Sequence, residues 1–301
     1  MVDKIFVIIV TFNGMKWYDR CFTSLRQSNI PVQTIVVDNA SEDGSAQYIK
    51  DHFPEIYLIE SQENLGFGRA NNIAMRYALN QKCDYVFLLN QDTWIEPDSI
   101  ETLVQLHKNN SQYGILSPMH IRADGKSLYI QIEDGKTDHG NKLLSDCYFN
   151  QLDDIYTFSY INAAAWLLPR STIEIVGGFD PIFPLYGEDD DYLNRLHYHG
   201  LKLGLCPKVR VVHDHQNVPN PLSGGRARYY QSLIVGFINP NKQETFKNHL
   251  ASLKRKIVIN FLKGNQRLVK QLKMDYKFLL EKQPAIRKSR SLNKNIGSTW
   301  L

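Results

Sequence analysis

The sequence predicts an α/β fold with a mostly parallel central sheet flanked by helices. Short apolar segments rich in β-branched and aromatic residues alternate with segments of helical spacing, which is typical of successive βαβ units. Polar residues follow several of the apolar segments, at the end of an open parallel sheet where ligands bind. The 301 residues, 43% hydrophobic and 22% charged, suffice for one or two globular domains and exclude a disordered or coiled-coil chain.

The first ninety or so residues contain four of the predicted strands. Each is short, apolar and bounded by Asn, Asp or Gly, as expected of strands buried in a parallel sheet. They are Lys4–Thr11, Gln33–Asp38, Ile56–Glu60 and Asp84–Leu89. Helical spacing predicts the intervening helices over Met15–Gln27, Ala46–His52 and Arg69–Gln81.

The middle of the chain continues this pattern less regularly. Glu96-Pro97 begins a helix that runs to about Asn109, because proline suits a first helical turn, and Ile115–Pro118 resembles a strand. Residues 119–158 carry glycines at turn-like intervals and predict an antiparallel hairpin or a loop excursion. Regular patterning then returns at Tyr160–Pro169, Arg170–Val176, Glu188–His199 and Val209–His213.

Charge divides the chain near residue 225. Residues 1–225 contain 18 Lys and Arg against 28 Asp and Glu, whereas residues 226–301 contain 17 against 3. From about Ala227 onward apolar residues recur at helical intervals among the lysines, which predicts amphipathic helices with a frayed end over the last fifteen or so residues. We therefore predict a body over residues 1–225 and a basic helical extension over residues 226–301.

The basic extension indicates an anionic partner. An anionic membrane surface fits, since basic amphipathic helices rest on such surfaces. A nucleic acid is disfavoured, because no base-stacking platform accompanies the lysines and the acidic body would repel phosphates. The bland alternative is that the lysines only solvate the helices.

The sequence gives no indication of secretion or of a membrane span. The four cysteines are scattered without a CxxC pair, which favours reduced thiols. The apolar run Ile5–Val10 is far shorter than the roughly 20 residues of a spanning helix, and it begins too close to Met1 for a signal peptide. We expect a cytoplasmic protein.

Polar clusters at three predicted strand ends indicate one shared cleft. Thr11-Phe12-Asn13-Gly14 follows the first strand, Asp38-Asn39-Ala40-Ser41 the second and Asn90-Gln91-Asp92-Thr93 the fourth. A single cluster would mean only a turn, but the carboxyl ends of parallel strands meet at one edge.

The glycine segment 64–72 matches the dinucleotide fingerprint only in its GxG, although a helix beginning near Gly68 could offer N–H groups to a phosphate beside Arg69.

Four acids in a row, Glu188 to Asp191, stand at the start of a predicted helix. The helix dipole favours one or two acids there, by about 0.3–1 kcal/mol each, but four adjacent carboxylates repel one another. We therefore expect at least one to have a role with a cation or a proton.

His213 and His215 lie on one face of a strand, where they are either plain structural residues or, beside an aspartate, ligands of Mg²⁺ or Mn²⁺.

The ordered segments VIIVTFNG, VVDNASEDGS, NLGFGRANN, LLNQDT, INAAAWLLPRSTIEIVGGFDPIFPLYGEDDDYLNRL and VRVVHDH resemble a family 2 glycosyltransferase of the rhamnosyltransferase-like branch. The resemblance covers about residues 4–215. It implies the GT-A nucleotide-diphospho-sugar transferase fold and inverting transfer of a sugar from a dTDP- or UDP-linked donor to a glycan or lipid-linked acceptor. The sugar implied first is rhamnose.

The resemblance also implies roles for individual residues. Asp92 would bind Mg²⁺ or Mn²⁺, with His213 or His215 as a further ligand, although Asn90 stands where the family's motif has its first acid. Asp189 would be the catalytic base, Glu188 would orient the acceptor or sugar, and Asp191 would be the alternative base. The nucleotide-sugar pocket would comprise Thr11, Phe12, Asn13, Asp38, Asn39, Gly66, Arg69, Asn71, Asn90, Gln91 and Trp166, the last with a core position as its alternative.

Two other functions compete with this interpretation. A sugar nucleotidyltransferase would need cations in the loop after the first strand to hold a triphosphate, and the segment Thr11–Gly14 has none. A non-catalytic nucleotide-sugar binder is the second alternative, because of Asn90.

Overall fold

The computed structural model describes residues 2–128, 142–214, 225–297 and 299–301. Its strands are β1 (Ile5–Thr11), β2 (Gln33–Asp38), β3 (Tyr57–Glu60), β4 (Tyr85–Leu89), β5 (Thr93–Ile95), β6 (Tyr113–Arg122), β7 (Tyr156–Phe158), β8 (Ala165–Pro169) and β9 (Lys202–His213). Its helices are α1 (Met15–Arg26), α2 (Ser45–His52), α3 (Gly66–Asn80), α4 (Ser99–Asn109), α5 (Leu143–Tyr148), α6 (Arg170–Val176), α7 (Glu188–Tyr198), α8 (Gly225–Ile238), α9 (Phe246–Leu262) and α10 (Gln266–Leu292).

The strands form one sheet in the order β3-β2-β1-β4-β8-β6-β9-β5, and β7 pairs with β9. Neighbours from β3 to β4 run parallel, as do β6 and β9. The strand β8 lies antiparallel between β4 and β6. The predicted α/β class and its mostly parallel sheet are confirmed, with β8 antiparallel at the centre and β5 and β7 antiparallel to β9.

Helices cover both faces of the sheet, which is why its central strands are largely apolar. In β1, Phe6 and Ile8 face a core shared with α3, α6 and α7, whereas Val7 and Ile9 face a core shared with α1, α2 and α4. Side chains that alternate between two buried faces leave few polar positions in a strand, and Ser117 and His120 on β6 are buried exceptions. Polar residues are therefore displaced to the strand ends.

The excursion predicted over residues 119–158 is only partly described. β6 extends through Arg122, and a bridge pairs Ile121 with Leu128. The helix α5 and the strand β7 follow after residues 129–141, which lie outside the described residues.

The C-terminal helices α8, α9 and α10 share a third core with Phe183, built on residues such as Ile238, Phe246 and Leu279. In the described part of the chain, no helix has both the length and the apolar character needed to cross a membrane.

The prediction that the last fifteen or so residues fray is wrong. The helix α10 continues to Leu292, and the backbone N–H of Gly178 donates to the carbonyl of Thr299 at 2.8 Å. The close approach needs a glycine, because a Cβ on Gly177 would lie 2.3 Å from the same carbonyl oxygen. Leu301 then packs against the core beside α3 and α7. Such pairing joins positions more than a hundred residues apart, so the local pattern could not predict it. The boundary at residues 225 and 226 stays a prediction.

Candidate active site

The ends of β1 and β2 are tied together by buried polar side chains. Thr11 Oγ1 donates to Asp38 Oδ1 at 3.2 Å, and the backbone N–H of Ser41 donates to Asp38 Oδ2 at 3.1 Å. Asn13 has φ of 48°, donates its N–H to Ser41 Oγ and accepts from the N–H of Glu42 on its side-chain oxygen. Asparagine tolerates this left-handed conformation better than other non-glycine residues. The two strand ends therefore form one rigid rim.

Gln91 clamps the end of β4 to the end of β1. Its side-chain amide accepts from the N–H of Phe12 at 2.9 Å and donates to the carbonyl of Phe12 at 3.2 Å. Gly14 makes room, since a Cβ there would overlap the same amide group. The Phe12 ring remains 44% exposed, as suits stacking on a flat ligand. Gln91 thus holds the two strand ends together, and its predicted contact with the nucleotide sugar stays a prediction.

Asn39 connects this rim to the start of α3. Its side chain is buried, donates to Asn64 Oδ1 at 2.9 Å and accepts from the N–H of Leu65 at 2.7 Å. Gly66 has φ of +76°, and a Cβ there would lie 2.0 Å from the carbonyl oxygen of Pro184. The start of α3 is therefore pressed against the loop that precedes α7.

The two polar residues of α3 that were predicted to face the nucleotide differ in exposure. Arg69 is exposed, and its Nε donates to the carbonyl of Leu65 at 2.9 Å. Asn71 is 1% exposed, and its side-chain nitrogen donates to the carbonyl of Phe67 within the same helix. The predicted nucleotide contact of Asn71 therefore does not fit its position.

Asp92 and His213 meet at the ends of β4 and β9. His213 Nε2 lies 3.4 Å from Asp92 Oδ1, and the N–H of Asp214 donates to the carbonyl of Asp92 at 2.9 Å. The register of β5 against β9, with Thr93 opposite His213, brings the two side chains together. His215 lies outside the described residues.

Two residues that the sequence did not single out support this pair. The ring of His120 on β6 packs edge to face on His213, and burial lowers the pKa of His120 to about 3, with the nearby His213 as a further cause. The indole nitrogen of Trp17 donates to Asp214 Oδ2 at 3.0 Å. Both contacts join strands or helices far apart in sequence, which no local spacing reveals.

The acidic cluster begins α7, after a turn in which Tyr186 and Gly187 both have positive φ. Asp189 Oδ2 accepts from the N–H of Ala163 at 3.1 Å. Burial raises the pKa of Asp189 to about 7, the Ala163 N–H opposes this, and the charge of Asp190 adds to it. Burial and the charge of Asp189 raise the pKa of Glu188 to about 8. Glu188 therefore holds its proton at a pH where Asp189 is partly ionised.

Asp191, predicted as the alternative base, has a structural position instead. It is fully buried, accepts from Arg195 Nε at 2.9 Å and accepts from Asn293 Nδ2 at 2.8 Å. Arg195 donates further to the carbonyls of Val176 and Gly178. A carboxylate held in this way faces the core and the C-terminal helix, where no acceptor could reach it.

Trp166, predicted in the donor pocket, lies in the core, which was its alternative. It is 0% exposed and packs on Phe179 and Tyr192, with ring centroids 6.4 Å and 5.9 Å away. Trp166 and Leu168 face the same covered side of the sheet, so the tryptophan cannot line an open cleft.

The remaining predicted residues converge on one edge of the sheet. The N–H of Asn90 donates to the carbonyl of Ala164 at 2.9 Å, and the N–H of the preceding residue, Ala163, donates to Asp189. Asp92 follows Asn90 by two residues and contacts His213. The Asp92–His213 pair and Asp189 are therefore both held next to the junction between β4 and β8.

The side chains of Asp92 and His213 are of the kinds that bind divalent cations. Carboxylate oxygen and imidazole nitrogen both bind Mn²⁺, and carboxylates bind Mg²⁺. Within the described residues no group of three or more His, Cys, Asp or Glu side chains could enclose a metal ion. Two protein ligands fit a cation that takes its other ligands from a phosphorylated substrate and water.

Comparisons with known proteins agree on one family. The family model described as "Glycosyl transferase family 2" matches residues 6–163. The dTDP-rhamnosyl transferase RfbF of Shigella flexneri is 26% identical over 214 residues, covering 71% of this chain and 70% of that protein. The N-acetylglucosaminyl-diphospho-decaprenol L-rhamnosyltransferase of Mycobacterium tuberculosis is 26% identical over 259 residues, covering 78% and 84%.

Solved structures share the fold. S. aureus TarS 1-349 in complex with UDP superposes with a TM-score of 0.57 at 13% identity, over 79% of this chain and 65% of that one. GalNAc-T7 with UDP, GalNAc and Mn²⁺ gives a TM-score of 0.58 at 17% identity, over 78% of this chain and 48% of that one. The sheet and its helices therefore have the GT-A architecture that the sequence predicts.

Proposed function

Since the chain belongs to glycosyl transferase family 2, and is thus a glycosyltransferase that uses a nucleotide sugar, we propose that it transfers the sugar in one inverting step. The acceptor would be a hydroxyl group of a glycan or of a lipid-linked saccharide. The observation that carries this proposal is that Asp92 contacts His213 just after β4, while Asp189 is bonded to Ala163, whose neighbour Ala164 pairs with Asn90 at the same end of β4. A leaving diphosphate and an attacking hydroxyl need such groups side by side.

We propose dTDP-rhamnose as the first candidate donor and a UDP-sugar as the second. The relatives from S. flexneri and M. tuberculosis are rhamnosyltransferases by name, and the first uses a dTDP donor. UDP is the nucleotide in the TarS and GalNAc-T7 structures. The exposed Phe12 ring, beside the rim that Asp38 helps to form, would stack on the nucleobase. The bases of dTDP and UDP are both pyrimidines of similar shape, so this contact would suit either donor.

Asp189 would act as the general base. The acceptor oxygen forms a bond to the anomeric carbon while the bond from that carbon to the phosphate oxygen breaks, and the nucleoside diphosphate leaves with the electron pair. The acceptor proton passes to Asp189, whose pKa of about 7 suits proton transfer near neutral pH. The Ala163 N–H fixes the direction of the carboxylate. Glu188, protonated by its burial, would donate a hydrogen bond to the sugar or acceptor.

Asp92 and His213 would hold Mg²⁺ or Mn²⁺. Such an ion supplies positive charge where a departing diphosphate gathers negative charge. Asn90 replaces an acid of the family's motif, so Asp92 provides the carboxylate alone and His213 the second protein ligand. Arg69 and the N–H groups at the start of α3 would add further positive potential beside the diphosphate.

The division of labour in the chain is also a proposal. Residues 1–225 would carry the reaction, and the basic helices of residues 226–301 would face an anionic membrane surface at the inner side of the cell membrane. A lipid-linked acceptor would be presented there, and basic side chains near such a surface favour binding.

A thermal-shift panel combined with donor hydrolysis tests the proposed function. With Mn²⁺ present, dTDP-rhamnose at 100 times its dissociation constant should stabilise the fold by about 2.7 kcal/mol and release dTDP slowly. Nucleoside triphosphates with sugar 1-phosphates should form no nucleotide sugar. If no dTDP- or UDP-sugar raises the melting temperature, or none is cleaved, the proposal fails.

A further inference from the structure

The turn between α9 and α10 exposes a compact apolar surface. Residues 261–268 are exposed without interruption, including Phe261 at 70% and Leu262 at 79%. Val258, one turn earlier on α9, is 58% exposed. Positions i, i+3 and i+4 lie on one helix face, so these three side chains form a single stripe, called here the apolar tip.

The apolar tip is distinct from the face by which α9 packs on the protein. Leu253 is buried, and Ile257 packs beside it in the C-terminal core. At about 100° per residue, the centre of the apolar tip lies roughly a third of a turn round the helix from these residues. The helix thus has two apolar faces, of which its own fold uses one.

Basic residues surround the apolar tip. Residues 245–274 contain eight Lys and Arg and no Asp or Glu. Lys263 and Arg267 stand in the exposed turn, and the run Lys254 to Lys256 lies on the last turns of α9 before it. Apolar side chains at the end of a helix, ringed by cations, have the chemistry of a surface that enters the boundary between lipid headgroups and acyl chains.

The size of the apolar tip argues against a stable protein partner. Three side chains exposed to this degree present on the order of 400 Å². A stable dimer buries about 800 Å² on each partner. An excess of like charge around the apolar tip would also repel a second copy of this chain, whereas it attracts an anionic leaflet.

We propose that the apolar tip of Val258, Phe261 and Leu262 inserts into an anionic lipid bilayer, with the surrounding lysines and arginines on the headgroups. The inference rests on the proposed function only for its purpose, which is to hold the enzyme beside a lipid-linked acceptor. Binding itself needs neither donor nor acceptor. Anchoring then comes from two contributions, apolar burial and charge, as reversible peripheral attachment requires.

The test is co-sedimentation of the full chain with large vesicles, without nucleotide. The chain should bind vesicles of 30% phosphatidylglycerol in phosphatidylcholine and should not bind pure phosphatidylcholine, and 1 M salt should weaken the binding. The double substitution Phe261→Ser with Leu262→Ser should weaken it at least about tenfold. Leu144→Ser with Tyr148→Ser, which alters two equally exposed apolar residues on α5, is the matched control and should bind like the unaltered chain.

A second variant guards against misfolding. Phe261→Trp should keep vesicle binding, and its added fluorescence should shift to shorter wavelength only with anionic vesicles. Unchanged binding by the double variant, an equal loss in the α5 control, or no spectral shift would each overturn the inference. Sedimentation velocity adds a further check, because a dimer that the double variant dissociates would assign the apolar tip to self-association instead. Donor hydrolysis should be the same in all variants, so a failure here leaves the proposed function intact.

Discussion

The titration of Asp189 offers the sharpest prediction for the proposed reaction. Burial raises the pKa of this carboxyl to about 7, against 3.8 for an ordinary aspartate, and the Ala163 N–H partly offsets the effect. A carboxylate can accept a proton only when it is ionised, so kcat/KM should fall as the pH drops below the pKa of Asp189. With a pKa of about 7, Asp189 is ionised in roughly one-eleventh of the molecules at pH 6 and in ten-elevenths at pH 8. Glu188, with a pKa of about 8, has lost its proton in about half of the molecules at pH 8. kcat/KM should therefore rise about fivefold over these two pH units and decline above pH 8.

The assay measures initial rates of nucleoside diphosphate release at saturating acceptor between pH 5 and 9. Asp189→Asn should lower kcat by about 10²–10⁴ and abolish the acid limb, with little change in the affinity for the donor. Asp190→Asn is the matched control from the same turn of α7. It should keep the plateau rate and move the acid limb to lower pH, because the charge of Asp190 raises the pKa of Asp189. A flat profile from pH 6 to 8, or an unaltered rate in Asp189→Asn, would refute the role of this residue.

Three further predictions concern the metal pair, the buried acid and the tight turn. Asp92→Ala and His213→Ala should each weaken Mn²⁺-dependent nucleotide binding at least about tenfold, and calorimetry that finds equal affinities with Mn²⁺ and with EDTA for the unaltered chain would contradict a metal there. Burial raises the pKa of Glu188 from 4.5 to about 8, so the folded state binds the proton more strongly and stability declines as pH rises between these values. Glu188→Gln should therefore be more stable than the unaltered chain at pH 8.5, by on the order of 4 kcal/mol in free energy of unfolding, with a much smaller gain at pH 4.5, and a gain independent of pH would exclude the linkage. Gly66→Ala should destabilise the fold by about 1–3 kcal/mol in denaturant titrations, because its φ is +76° and a Cβ would overlap a carbonyl oxygen, whereas Gly236→Ala, which has open space in α8, should be neutral or stabilising.

The sequence predicts the first half of the sheet closely. β1 and β2 fall within a residue of their expected bounds, because burial on both faces makes their sequences continuously apolar. The same burial pushes polar residues to the strand ends, and so the cleft could be found before the structure. Asp92 and His213 were paired on this reasoning together with the family resemblance, and they lie in contact.

Other features depend on partners that local pattern does not contain. Asp189 and Asp191 are two residues apart in one acidic run, yet their partners differ. Asp191 accepts from Arg195 and Asn293, whereas Asp189 accepts from the backbone N–H of Ala163, just before β8. Trp166 lies in a strand whose direction in the sheet, antiparallel to both neighbours, decides which face it covers. These outcomes are set by long-range packing, which only the fold supplies.

Hydrogen bonds give a structural role to two residues that the sequence marks as ligands. Gln91 and Asn39 stand at strand ends among turn-forming residues, and both use their side chains to connect the rim. The same polar chemistry serves a ligand or a neighbouring loop equally well, so the sequence could not predict the contacts with Phe12 and Leu65. The ligand roles of both residues stay predictions.

The anomeric configuration of the product shows whether one displacement joins a donor and an acceptor in this cleft. NMR of the saccharide formed from dTDP-rhamnose in the first minutes of reaction gives that configuration from the one-bond carbon–hydrogen coupling constant at the anomeric carbon. We expect inversion, since Asp189 would remove a proton from an acceptor that attacks opposite the diphosphate. A product that retains the configuration of the donor would refute the single displacement.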